Sequence, residues 1–286
     1  MTVVGVLEGA GGVARTAALL ASGCSPHAIK SAVAGGLAVR GRRGVLMLPG
    51  ADASLVLATD LSGELTCVTA LARHGISLLR PTRTLHLGVR SGYTTAGRRA
   101  RGVHLHYAKA RRAPSPGTPP VASVATALDE AGRCLDERAH LVAVDAALHA
   151  GKVSMAQVAA FHSTSADRRA WLLAHADGRA ESPGETLARL DIVRRGLAVH
   201  PQRFITGVGR VDLVVDDRVV VEIDGRAFHQ GPESFVRDRR RGRRVVAGRL
   251  PVLRFAAAEV LGSDAIDVGA EVASFLADRP SPRMTH

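Results

Sequence analysis

A chain of 286 residues in which 46% of side chains are hydrophobic has room for two or three domains and enough apolar surface for real cores, which excludes global disorder. Its 38 Lys and Arg stand against 26 Asp and Glu, a net charge of +12, and lysine occurs only at Lys30, Lys109 and Lys152. Guanidinium forks suit phosphate, so this excess points to a nucleic-acid partner; a GC-rich coding bias would write the same composition, so the positions of the arginines have to decide.

Residues 1–50 predict short helices followed by a hairpin. The N-terminus, MTVVGVLEGAGG, lacks the basic and long apolar parts of a signal peptide. Gly9, Gly11 and Ala14 match a dinucleotide-binding glycine pattern, but no acid occurs between Glu8 and Asp52 to take a ribose, so these glycines are read as a loop. VARTAALLASG predicts a helix stopped at Gly23, and SPHAIKSAVAGG a second, with Ser25 as N-cap and Pro26 at its first position. LAVRGRRGVLMLP then reads as two strands around the turn Arg40-Gly41-Arg42-Arg43-Gly44. Helix, turn, helix and basic hairpin make a winged helix-turn-helix layout. Lys30 lies on the groove-facing helix, and Arg40, Arg42 and Arg43 lie in the wing as DNA-binding candidates. A small helical domain with a solvated turn is the alternative.

Residues 51–180 predict a mixed α/β domain. LTCVTALARHG reads as a helix, TRTLHLGV and GVHLHYAKA as strands, and RSGYTTAGRRARG as a basic loop between them. His104 and His106 share a strand face; without a third ligand nearby they are read as ordinary sheet histidines. Cys24, Cys67 and Cys134 are far apart, odd in number and form no CxxC, which argues against a zinc site or disulfide framework and fits a reducing cytoplasm. After the Pro-rich turn APSPGTPP, helical spacing continues to Gly178, with Asp129 and Glu130 expected to face solvent. No apolar run approaches the roughly 18 residues that span a membrane.

Residues 181–278 predict an α/β unit, and residues 279–286 a disordered tail. A helix begins at ESPGE, where Ser182 and Glu185 form a capping-box pattern; Glu185 either bonds the Ser182 N–H or turns into a site. Next comes VDLVVDDRVVVEIDGRAFH. With Val211, Leu213 and Val215 on the same face as Val219, Val221 and Ile223, burial selects the three-residue connection Asp216-Asp217-Arg218. That register sets Asp212 opposite Glu222, with Asp224 two residues along. Two facing carboxylates are unfavourable without a cation between them, and Mg2+ (or Mn2+) with its waters suits both the acids and a phosphate substrate. A solvated face paired with Arg210, Arg218 or Arg226 is the alternative. His229, just past Gly225, could act as general acid or base, and the helix PESFVRDRRRGRRVVAG places Arg237, Arg241 and Arg244 on one stripe that suits a DNA backbone. RLPVLRFAAAEVLG reads as a strand passing into a helix, and DVGAEVASFLAD closes the unit.

The order Glu185, RVDLVV, VVVEIDG, FH, RDRRR and PVLRF over about residues 180–262 resembles the very-short-patch-repair-like (Vsr-like) endonucleases of the PD-(D/E)XK superfamily. The resemblance implies a restriction-endonuclease-like fold, Asp212 and Glu222 as metal-binding acids, Glu185 from the first helix, and His229 as a motif histidine. Asp224 stands where the superfamily usually has lysine, so the general base is unassigned. Residues 1–180 are more loosely similar to the AbiEi-type antitoxins and regulators, which implies a DNA-binding winged helix and, in toxin–antitoxin systems, a partner toxin. Together these imply a cytoplasmic, Mg2+-dependent DNA endonuclease; the alternative is a non-catalytic DNA-binding regulator with a degenerate nuclease domain.

Overall fold

The computed structural model describes residues 1–42, 44–92, 102–109, 111, 115–225, 250–262 and 264–279. Among these the chain is a mixed α/β protein with three sheets and twelve helices. It divides into two compact units: Met1–Ile76 with Arg80–Leu135 and Ala160–Ala166, and Ser77–Leu79 with Asp136–Ala159 and Asp167–His286. No helix of the described residues is long and apolar enough to cross a membrane.

The first unit opens with α1 (Val3–Gly9), β1 (Val13–Arg15), α2 (Thr16–Ala21), α3 (Pro26–Ala34), β2 (Val39–Arg40) and β3 (Val45–Met47). Of the glycines read from sequence as a loop, Gly11 stands in the turn after α1 and Gly9 is the last residue of that helix. Val3, Val6 and Leu7 recur at helical spacing and are buried, Thr2 caps the helix, and the glycines mask the pattern. Gly11 and Gly12, at φ +75° and +91°, end it. The next predicted helix starts three residues late, because Val13–Arg15 pairs antiparallel with Val45–Met47. α3 begins as expected: Ser25 Oγ accepts the Ala28 N–H at 3.1 Å and Pro26 takes the first position. β2 and β3 form a hairpin in which Arg40 faces Leu46, giving a sheet of order β1-β3-β2. Leu7, Leu19, Ile29 and Leu46 are packed in one core beneath these elements.

The rest of this unit carries α4 (Ala53–Asp60), β4 (Glu64–Leu65), α5 (Cys67–Arg73), β5 (Leu85–Arg90), β6 (Val103–Ala108) and α6 (Val124–Ala131). β4 runs antiparallel to β5, and β5 runs parallel to β6 with His86 beside His104. Asp129 and Glu130 do not face solvent as expected; both are buried. Asp129 accepts the N–H groups of His162, Ser163 and Thr164, and Glu130 accepts from Thr66 Oγ1 at 2.6 Å and pairs with Arg111. Burial is tolerable because each carboxylate is saturated by donors.

The second unit contains α7 (Glu137–His149), α8 (Met155–Ala159), nearly all of α9 (Ala166–His175), α10 (Pro183–Arg194), β7 (Val199–Ile205), β8 (Gly209–Val215), β9 (Val219–Asp224), β10 (Val252–Ala256), α11 (Ala257–Leu261) and α12 (Val268–Ala277). β7, β8 and β9 form an antiparallel meander, and β10 adds in parallel beside β9, giving the order β10-β9-β8-β7. One face packs Leu213, Val215, Val219, Val221 and Ile223 with α10 and α12. The other holds Val208, Val211, Val214 and Val220. Burial on both faces is why these strands read as continuous valine runs rather than strict alternation. Asp145 of α7 is fully buried at the back of this unit, bonded to Arg189 and Thr186 of α10 and to the Asp177 N–H.

Candidate functional site

The acids of the second unit stand on α10, β8 and β9, where the β8–β9 ladder ends at Leu213↔Val221. The predicted register holds from Leu213↔Val221 to Val215↔Val219, and the connection is Asp216-Asp217-Arg218. Asp216 and Asp217 both take left-handed φ, at +50° and +55°, a conformation that aspartate tolerates better than most residues. The ladder stops one pair short of Asp212 and Glu222, so the expected direct facing of these two acids is replaced by another contact. Asp212 Oδ2 accepts the Ile223 N–H at 2.8 Å, taking a backbone donor of β9 with a side-chain oxygen. On the other flank, Pro201↔Leu213 and Arg203↔Val211 are paired, while Gln202 between them sits at φ +53°. The alternation also lapses there: Val211 packs with Val214 and Val220, not with Leu213 as the sequence reading had it.

Glu185 enters this region from the first turn of α10. Half of the expected capping box forms, with Ser182 Oγ accepting the Glu185 N–H at 3.2 Å. The reciprocal half does not. Glu185 Oε2 accepts instead from the Glu181 N–H at 2.9 Å and from Gln202 Nε2 at 2.8 Å, which ties the carboxylate to β7. Gly184 makes the approach possible, since a Cβ there would lie 2.8 Å from Ile223 Cγ2. Glu185 and Glu222 are buried, Asp212 is half-buried and Asp224 is exposed at the end of β9. Of the arginines offered as counter-charges, Arg210 pairs with Glu181 at 2.7 Å and Arg218 donates to the Leu276 carbonyl at 3.0 Å. Arg226, His229, Arg237, Arg241, Arg244 and the rest of the stretch expected to form a basic helix lie outside the described residues, as does Arg43.

In the first unit, Lys30 on α3, Arg40 on β2 and Arg42 in the turn are all exposed. The same face of α3 exposes His27, Ser31 and Ala34, and no carboxylate occurs anywhere between Glu8 and Asp52 to neutralise these cations.

A second constellation, missed from sequence, lies in the first unit. Among the described residues, the group of three or more potential metal ligands with all donor atoms within 4.8 Å of one another is Cys67, His86, His106 and Cys134, and this cluster could hold a metal ion. Glu185, Asp212 and Glu222 do not close such a cage. His86 Nδ1 is 3.0 Å from His106 Nε2, and Cys134 Sγ is 3.9 Å and 3.8 Å from those two nitrogens. Cys67, His86 and His106 are buried and Cys134 is exposed. The hydrogen bond from Cys67, then His106 and His86, pulls the Cys134 thiol far below its ordinary range, while the same pairing and burial push Cys67 up. His106 therefore has further potential ligands beside it, and Cys67 and Cys134 meet in space, whereas Cys24 lies in the core of α1–α3. Their sequence spacing is silent because strand pairing, not a local motif, assembles them: parallel pairing brings His86 to His104, and His106 follows on the same face. The repeated histidines of LHLGV and VHLHY were the one available signal.

No protein-family model matches the chain, and no curated protein matches it in sequence.

Proposed function

We propose that the protein is a divalent-metal-dependent DNA endonuclease that hydrolyses phosphodiester bonds, with Asp212 and Glu222 as the metal-binding acids, Glu185 beside them, and the first 50 residues as the DNA-binding element. The observation that carries this reading is Glu185. Its carboxylate is buried, yet its described partners are a backbone N–H and an amide, both neutral. A buried carboxylate held only by neutral donors favours a nearby cation. Mg2+ or Mn2+ would supply it, activating water and shielding phosphate charge. Support also comes from order along the chain: α10, β8, β9 and β10 carry Glu185, Asp212, Glu222 and the PVLRF strand in the succession of the endonuclease resemblance.

The test incubates the protein with plasmid and mismatch-bearing duplexes in Mg2+ or Mn2+, beside Asp212→Ala. Nicking by the parent and loss in the variant is expected; equal nicking by both would remove Asp212 from the site. The second reading, a non-catalytic DNA-binding regulator, is favoured by the absence of a closed cage among the described acids. It wins if no substrate is nicked while DNA is bound tightly.

Both readings give the wing the same task. Replacing Arg40 and Arg42 together by alanine is expected to weaken binding across all DNA sequences and to flatten the slope of log affinity against log salt by about 1.8, the loss of two phosphate contacts. Titrations by fluorescence anisotropy at several salt concentrations measure it, and an unchanged slope would show that the hairpin does not touch DNA.

A further inference from the structure

The Cys67, His86, His106 and Cys134 cluster has a donor set unlike that of the carboxylate site. Two thiols and two imidazoles are soft to borderline ligands that select zinc-like ions and offer nothing suited to Mg2+. A tetrahedral ion bound at about 2.0–2.1 Å to nitrogen and about 2.3 Å to sulfur sets its donors about 3.3–3.8 Å apart. The cluster's spacings of 3.0, 3.8 and 3.9 Å bracket that range.

The surroundings are built to hold these four donors. Cys67 takes φ +51°, a left-handed conformation costly for a residue with a Cβ, and it does so two residues past the paired Leu65 of β4. Its neighbour Thr66 is fastened twice: its N–H donates to the His86 carbonyl at 3.0 Å, and its hydroxyl donates to Glu130 at 2.6 Å. Thr69 Oγ1 accepts the His86 N–H at 2.9 Å. Glu130 also lies 3.9 Å from His106 Nδ1, on the side of the ring away from the cluster, which is longer than a hydrogen bond. Arg111 pairs with Glu130 and Glu64 and crosses β5 at Gly88, where a Cβ would lie 2.1 Å from its guanidinium carbon. His104 flanks the group on its exposed side, 3.8 Å from Cys134 Sγ and with its ring centroid 5.0 and 4.9 Å from those of His86 and His106.

We propose that Cys67, His86, His106 and Cys134 bind one zinc ion in a closed tetrahedral site, with His104 beside it as a neighbour and not a ligand. Four protein ligands leave no position for a reactive water, so the ion is structural. It joins the start of α5, strands β5 and β6, and the segment after α6. The proposal is independent of the nuclease reading.

The full chain, expressed with zinc in the medium and purified without chelator, is analysed for bound metal by mass spectrometry and for free thiols. Roughly one zinc per chain is expected, falling to background in Cys134→Ser and in His106→Ala but retained in His104→Ala. Cobalt replacing zinc is expected to give the visible absorption of a tetrahedral thiolate site, which keeps the ligand set testable if a zinc-depleted variant fails to fold. Chelation is expected to lower the melting temperature. The proposal is overturned if the chain carries no metal and its thiols titrate as free, if Cys67 and Cys134 are isolated as a disulfide, or if His104→Ala abolishes binding while His106→Ala does not.

Discussion

Alanine at position 145 is expected to lower the stability of the second unit by about 3–5 kcal/mol, the usual cost of removing one member of a buried ion pair. Asp145 has no solvent exposure, and its two oxygens serve three donors at once: Arg189 at 2.8 Å and Thr186 at 3.0 Å on α10, and the Asp177 N–H at 2.8 Å before it. Removing the carboxylate leaves the Arg189 charge buried without its partner. Urea unfolding followed by circular dichroism measures the loss, and a change below about 1 kcal/mol would show that water enters and replaces the pair. Replacing Asp145 and Arg189 together by apolar residues of similar volume is expected to restore most of the loss, since the pair itself is worth far less than the cost of breaking it. The effect has a pH signature. Burial pushes the Asp145 carboxyl up to about 6 from its ordinary 3.8, against the pull of Arg189. A raised folded-state value stabilises fully below about pH 4 and is lost as the pH rises through about 6. The advantage of the parent over Asp145→Ala should therefore be wider at pH 4 than at pH 7.

Glu222→Gln should lower nicking by about a hundredfold to a thousandfold, about 3–4 kcal/mol of transition-state stabilisation, if Glu222 holds the metal as proposed. Glutamine keeps the shape and one carbonyl oxygen at this buried position on β9 but removes the charge that binds the ion. The thermal midpoint should move little, which separates lost chemistry from lost folding. Initial rates at saturating Mg2+, compared with melting curves of the same preparations, decide it. A rate within threefold or so of the parent would take Glu222 out of the metal set.

What could be read from the residues was local. Ser25-Pro26 sets the start of α3, and the paired valine rows set the register of Leu213 with Val221. Both depend on neighbours in sequence or on one buried face. The misreadings share the opposite cause. Val13–Arg15 became a strand because Val45–Met47 lies beside it, and Asp129 and Glu130 turn inward because Thr164 and Arg111 meet them there. The Cys and His cluster is the extreme case, since Cys67, His86, His106 and Cys134 come together only through strand pairing and the packing of α5 on α6. No spacing rule could have placed them, whereas the acids of the hairpin stand on adjacent strands and announced themselves.

The parallel pairing of β5 with β6 also sets an order of events during synthesis. Parallel neighbours cannot be joined by a tight turn, so His86 and His106 meet only after a long connection has closed. Cys134 comes later still, and the full ligand set exists only once residue 134 has left the ribosome and the sheet has formed. Such non-local closure is a slow step in folding. A nascent chain would expose Cys67 with no partners through that interval, so capture of the ion would mark the completion of this unit and not its beginning.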